Sequence, residues 1–307
     1  MIKDYRLSFV EIYDHNRIVK LTVFHLRSLG VALTLAPLFA IAVSTLPAAN
    51  PSSADAPTEP VVEPPPPATD ATAKKILENF ITVLGGADAL RKVALIQATG
   101  TETPVGKGDI VKFTYWIAPP NRARLDTVVS LNYGKTREIH QYVDGKNGWS
   151  IETTAKAPVA QDTALPNLTR LADFIYPFLD YDARSLRFEY SGKEKSRGMD
   201  ALVVKFWPAA GSPPESLFFD PTRFLLLRIR QQTKVGGHLV FSNIFVTKYD
   251  KINGLWMPTA WEYALGDAVF ARAEANIKFL PQVDPALFAH PATKKMILGV
   301  PESSPAN

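Results

Sequence analysis

From Ile96 onward the chain alternates polar and apolar residues one by one. Ile110, Lys112, Thr114 and Trp116 fall on one side of an extended segment, and Val111, Phe113 and Tyr115 on the other. Successive strand side chains point to opposite faces, so such alternation specifies a strand with two different sides. Arg122, Arg124 and Asp126 alternate in the same way with Ala123, Leu125 and Thr127. Further runs with this character are Ile96–Thr103, Thr136–Asp144, Gly148–Thr153, Leu186–Ser191, Ala201–Phe206, Ser216–Phe219, Leu225–Gln232, Leu239–Tyr249, Trp256–Tyr263 and Ala268–Phe279. Turn formers at hairpin spacing punctuate them: Pro119-Pro120-Asn121, Asp144-Gly145-Lys146, Asp220-Pro221, Asn253-Gly254 and Gly266-Asp267. The expected fold is mainly β, a curved antiparallel sheet or incomplete barrel of about eleven strands, because so long a meander has to curl.

Two stretches break the period. Ile76, Leu77, Phe80, Ile81 and Leu84 recur at helical spacing after a capping Asp70 or Thr72, and Gly85-Gly86 stops the run. A short second helix or turn is expected over Ala87–Val93. Leu168, Leu171, Ala172, Ile175 and Leu179 mark a mid-chain helix between Pro166 and Asp182, with Pro177 kinking or ending it. These helices are expected to cover the concave face of the sheet. What they enclose is either a solid core or an apolar hollow, since both require inward-facing Val, Leu, Phe and Trp.

The N-terminal residues read as an address. Lys3, Arg6, Arg17, Lys20 and Arg27 precede Leu29–Ala49, which has no charged residue. A basic segment, an apolar run and small residues together form a secretory signal, and the run is also long enough to remain as a membrane anchor. Residues 1–49 are therefore expected to be a signal peptide or N-terminal anchor. Residues 50–70, with Pro64 to Pro67 in a row, form a Pro-rich linker that favours an extended spacer. The β domain spans 71–291, and 292–307 form a flexible tail.

Composition removes several function classes. The chain has no cysteine, which excludes disulfides, thiolate metal sites, thiol nucleophiles and a cysteine lipid anchor. A formal charge of +4 with both signs interspersed lacks the basic stripe of a nucleic-acid binder. No nucleophile elbow, P-loop or dinucleotide-binding glycine motif is present. His140, His238 and His290 have no companion at metal-ligand spacing. The close carboxylates Asp180 with Asp182, and Glu194 with Asp200, lie beside Arg184, Lys193 and Arg197 and read as solvated polar turns. No catalytic residue, metal or cofactor is expected, and the protein is read as a binder rather than an enzyme. The candidates for lining an apolar cavity are Tyr115, Trp116, Leu125, Trp149, Phe174, Phe178, Phe218 and Trp256, with Arg122 and Arg124 as a positive rim.

The order of several short motifs resembles the outer-membrane lipoprotein-sorting, or LolA-like, superfamily. They are WIAPPNRARLD (Trp116–Asp126), YVDGKNGW (Tyr142–Trp149), FFDPTRFLLLRIR (Phe218–Arg230), DKINGLWMPTAWEY (Asp250–Tyr263) and FLPQVDPALFAHP (Phe279–Pro291). The resemblance spans roughly residues 73 to 291. It implies an incomplete antiparallel barrel whose hydrophobic concavity is lidded by helices. Its type members carry lipoprotein acyl chains across the periplasm between inner- and outer-membrane partners. By this resemblance the ligand is a lipid or acylated lipoprotein, and the alternative is an envelope sensor or partner-binding protein on the same fold. Type members place an arginine just before the Pro-Asn turn to fasten the lid. Pro119 stands at that position here, so the latch is not carried over.

Overall fold

The computed structural model describes residues 7–14, 17–24, 65–66, 68–130, 136–152, 159–160, 178–208, 213–235 and 238–289. Strands β1 (Leu7–Asp14) and β2 (Arg17–Phe24) pair antiparallel as a separate hairpin. No strand was expected there from sequence, although β-branched residues are frequent in both segments. The apolar segment 29–49 and most of the linker lie outside the described residues.

Helix α1 (Ala71–Leu84) begins where a cap is available. The Asp70 carboxylate accepts from the backbone N–H of Thr72 at 2.8 Å and of Ala73 at 2.9 Å, and Gly85 closes the far end with φ 129°. Ala73, Ile76, Leu77, Phe80, Ile81 and Leu84 are all buried, so the apolar stripe read from the sequence is the face that packs. The short helix α2 (Ala87–Arg91) follows directly.

The remaining strands are β3 (Leu95–Pro104), β4 (Val111–Ala118), β5 (Arg122–Ser130), β6 (Thr136–Val143), β7 (Gly148–Glu152), β8 (Val159–Ala160), β9 (Arg187–Ser196), β10 (Met199–Trp207), β11 (Glu215–Phe219), β12 (Leu226–Val235), β13 (His238–Ile252), β14 (Leu255–Leu265) and β15 (Ala268–Leu280). They form one antiparallel sheet of thirteen strands in the order β8-β7-β6-β5-β4-β3-β15-β14-β13-β12-β11-β10-β9. The end strands β8 and β9 do not pair with each other, so the barrel is incomplete, as expected. The count exceeds the expected eleven: twelve runs were legible and became strands, while the two-residue β8 has no pattern of its own.

The topology is two hairpin arms joined at one seam. β3 to β8 step outward from the centre, β9 to β15 step back, and β15 pairs with β3 over ten residues from Leu95↔Leu280 to Pro104↔Ala271. Adjacent strands in each arm are joined by short connections suited to antiparallel pairs. The β13–β14 turn is the Asn253-Gly254 pair, both at positive φ (48° and 88°), the geometry whose twist matches the flanking strands.

One edge is partly blocked. At β9 the Asp70 N–H donates to the Phe188 carbonyl (3.1 Å), Thr69 Oγ1 accepts from Phe188 N–H (3.3 Å), and the Asp70 carboxylate accepts from Tyr190 N–H. The residue that caps α1 thus also satisfies part of the exposed strand edge and ties the helix to the sheet. Beyond it, Lys193 and Lys195 on the same strand discourage pairing with another chain.

Most of the expected mid-chain helix falls in residues 161–177, outside the described residues. The described continuation, Phe178 to Ser185, is turn structure.

Candidate functional site

Ladder register assigns each strand residue to one of the two faces. Ile277, Ala98, Tyr115, Leu125, Gln141 and Ser150 form a row across β15, β3, β4, β5, β6 and β7. The adjacent row is Ala275, Gly100, Phe113, Thr127, Ile139 and Glu152. This inner face shares one hydrophobic core with the buried side of α1: Phe80 meets Phe178 edge-on at 5.3 Å and Phe219 at 5.3 Å, and Phe188 stacks on Phe206 at 4.7 Å.

At the seam the inner face is floored by small residues: Ala98 and Gly100 on β3, and Ala271, Ala273 and Ala275 on β15. Aromatic side chains stand on either side, Phe113 and Tyr115 on β4 and Trp261 and Tyr263 on β14. Phe113 reaches across the floor to Trp261, with ring centroids 6.2 Å apart. Gly100 is required for this arrangement. A Cβ there would collide with the Glu274 carbonyl oxygen and come within 2.7 Å of Phe113 Cζ, so the close approach of β3 and β15 tolerates no side chain.

The inner face also carries polar groups, and they differ in how they are satisfied. Arg137 Nε and Nη2 each donate at 2.8 Å to the Glu152 carboxylate near the open margin, and Thr127 Oγ1 donates to the Ile139 carbonyl at 3.4 Å. Glu102 is different. It lies in register with Ala273 and Val111 and is only 7% exposed, and among the described residues its carboxylate has no hydrogen-bond or ion-pair partner. Burial alone pushes its pKa up to about 7. Glu102 acts electrostatically on Tyr115 and Tyr263. Burial raises both phenols, with Tyr263 and then Glu102 adding to the rise at Tyr115, and Glu102 adding to that at Tyr263. Tyr263 Oη accepts from Trp261 Nε1 at 2.7 Å. Chemically, this wall offers apolar surface together with one titratable acceptor and two phenolic hydroxyls.

The sequence-derived candidates divide between the two faces. Tyr115, Leu125 and Phe178 are buried in the inner core. Trp116, Trp149, Phe218 and Trp256 are on the outer face, so they do not line the concavity. Trp116 is in register with Arg124, then Tyr142 and Trp149. Phe218 is fully buried, but with Ala201 and Val203 in a separate outer cluster. Trp256 is 37% exposed and alternates with the buried Leu255 and Met257. Phe174 lies outside the described residues. Arg122 and Arg124 share a face, as their spacing implies, but it is the outer one: Arg124 sits 4.9 Å from the ring centres of both Trp116 and Tyr142, and Arg122 5.6 Å from that of Phe288. They are not a rim of the concavity. Alternation separates the two sides of a strand, but an aromatic residue satisfies either one when arginines cover it, so alternation alone does not say which side faces inward.

The outer face pairs its charges. Arg124 donates through Nε and Nη2 to Asp126 at 2.8 and 2.6 Å. His140 Nδ1 stands 2.9 Å from Asp126 Oδ1, off the line of a well-formed hydrogen bond. Burial would push the Asp126 carboxyl up, but its contacts with His140 and Arg124 outweigh that and hold it below the ordinary carboxylate range. An aspartate–histidine pair can serve as a general base, but this one lies on the side of the sheet away from the core and its carboxylate is already held by an arginine. On the other arm, Arg228 and Arg230 lie 4.7 and 4.9 Å from the Phe218 ring centre, Arg230 pairs with Glu194, and Glu262 pairs with both Arg197 and Arg272. The carboxylates read as solvated turns sit on strands or beside bases: Asp180 pairs with Arg91 and Asp200 with Lys195. Among the described residues no group of His, Asp and Glu could hold a metal ion, and no helix is long and apolar enough to cross a membrane.

With this geometry the class of protein is defined: an open antiparallel half-barrel wrapped on an N-terminal helix. No protein-family model matches the sequence, and no curated protein sequence matches it. Solved structures do. A DUF1329 family protein from Desulfovibrio piger is 13% identical with a TM-score of 0.51, over 72% of this chain and 98% of that one. A putative outer membrane lipoprotein-sorting protein domain from Vibrio parahaemolyticus is 11% identical with a TM-score of 0.49, over 71% and 96% of the two chains. A LolA superfamily protein from Nitrosomonas europaea is 12% identical with a TM-score of 0.48, over 71% and 97%. At such identities the likeness is one of fold alone.

Proposed function

We propose that this protein is an exported carrier or binding protein of the cell envelope that holds lipid or lipoprotein acyl chains against the inner face of its half-barrel, and that it is not an enzyme. The observation that carries the reading is the seam, where a floor of alanines and glycine lies between Phe113 and Tyr115 on one side and Trp261 and Tyr263 on the other. A chain occupying that strip would replace ring-to-ring contact with ring-to-methylene contact once Phe113 and Trp261 swing apart. Each methylene removed from water is worth about 0.8 kcal/mol, so a long acyl chain would be held firmly without any directional bond. Residues 1–49 would deliver the domain to the periplasm, either cleaved or retained as a tether through 29–49, and inner- and outer-membrane partners would load and unload it.

The test is native mass spectrometry of protein expressed with its own N-terminus and recovered from the envelope. The expected result is co-purifying lipid or acylated protein, together with saturable binding of a fluorescent acyl chain to the delipidated form. Recovery of ligand-free protein that also fails to bind the fluorescent chain overturns the carrier reading and leaves the partner-binding alternative.

A further inference from the structure

An isolated carboxylate is expensive to bury, and proteins normally pair such a group or keep it in water. On the outer face of this sheet three carboxylates follow that rule: Asp126, Glu194 and Glu262 each have a basic partner. On the inner face, Glu102 departs from it. It is more than nine-tenths buried, its in-register neighbours Ala273 and Val111 are uncharged, and the groups that face it are the Tyr115 and Tyr263 phenols. No lysine or arginine among the described residues pairs with it. It also stands two residues beyond Gly100 on the same side of β3, at the end of the small-residue floor. Among the described residues the side chain is therefore an acceptor without a donor, next to the strip proposed to hold a chain.

We propose that Glu102 is the head-group anchor of the inner face and selects a single-chain amphiphile bearing an ammonium group, with the phenolic hydroxyls of Tyr115 and Tyr263 beside it. This rests on the carrier reading and narrows it. The chain supplies affinity along the floor, and the ammonium supplies the missing partner of the carboxylate. Selectivity follows from charge. An ammonium satisfies the ionised carboxylate, a hydroxyl satisfies it only in part, and a carboxylate head group is repelled. As pH rises and Glu102 loses its proton, the preference for the cation strengthens.

Isothermal titration of the delipidated protein with dodecylamine, dodecanol and laurate, each below its aggregation concentration, tests this. At pH 8 dodecylamine is expected to bind about tenfold or more tighter than dodecanol, with laurate weakest. The gap is expected to narrow towards pH 6. In Glu102→Gln, checked for an unchanged circular dichroism spectrum, the preference for dodecylamine over dodecanol is expected to disappear. Equal binding of all three probes, or a cation preference that survives Glu102→Gln, overturns the anchor and leaves the carrier reading standing. No binding of any probe removes both.

Discussion

The two faces of this one sheet differ in how they satisfy their buried charges. On the outer face, arginines lie across aromatic rings and are in turn held by carboxylates, as with Arg124 between Trp116 and Tyr142 and bound to Asp126. On the inner face the side chains are mostly Ala, Phe, Leu and Ile, and Glu102 has no partner among the described residues, so burial forces it towards the neutral form. On the outer face Asp126, Glu194 and Glu262 each have a basic partner from the chain itself, and on the inner face Glu102 has none among the described residues. In a fold whose relatives share shape and little sequence, such an unsatisfied position is a better pointer to a ligand than the aromatic residues are, because the aromatic residues occur on both sides.

The contrast can be tested by substitution, starting with the largest effect. Phe188→Ala removes a fully buried inner ring that stacks on Phe206 and meets Tyr181 at 5.4 Å. The expected loss is about 3–5 kcal/mol, read from denaturant unfolding. A loss below about 1 kcal/mol would mean that the inner face is not close-packed.

Glu102→Gln should act with the opposite sign and only at higher pH. The native state holds the Glu102 proton more tightly than the unfolded chain does. The Glu102 contribution to stability should therefore be greatest at and below the ordinary glutamate value of 4.5 and fall as pH rises through about 7. The whole fall corresponds to roughly 3 kcal/mol. The variant should match wild type near pH 4.5 and exceed it at pH 8. Parallel stability curves for the two proteins across that window would contradict the assignment of an unpartnered carboxylate.

Asp126→Asn tests the outer face, where the expected pH dependence is reversed. Because the Asp126 pKa is depressed, its contribution is present above the ordinary aspartate value and is lost as pH falls through the depressed value. At neutral pH the variant should lose about 1–3 kcal/mol, since Arg124 and His140 are left facing an amide. At strongly acid pH the difference should vanish. Smallest of all, Arg230→Gln breaks a more exposed pair with Glu194, so a change under about 1 kcal/mol is expected, diminishing further in high salt.

Much of the fold was legible. Twelve strand runs and helix α1 with its Asp70 cap and Gly85 stop were all written in local pattern, because period and capping are properties of neighbouring residues. The Asn253-Gly254 turn was legible for the same reason, since the pair states its own backbone geometry. The candidate site was read only in part. Tyr115, Leu125 and Phe178 lie in the inner core, whereas Trp116, Trp149, Phe218 and Trp256 lie outside it. Glu102 was overlooked, yet its position had a signal: in the run Ile96–Thr103 it shares a side with Ile96, Ala98 and Gly100, a carboxylate at an apolar position.

What the sequence determined by itself was the local layer: where the chain extends, where it coils, where it turns, and that each strand has two unlike sides. The tertiary structure decided which side faces inward, because that depends on where α1 docks and on β15 returning to pair with β3, a contact between the ends of the domain that no local pattern encodes. It also decided which charges have partners. Arg124 and Asp126 are neighbours in sequence and on one face, but Arg230 meets Glu194 and Glu102 meets no base among the described residues, and these outcomes exist only once distant strands share a sheet.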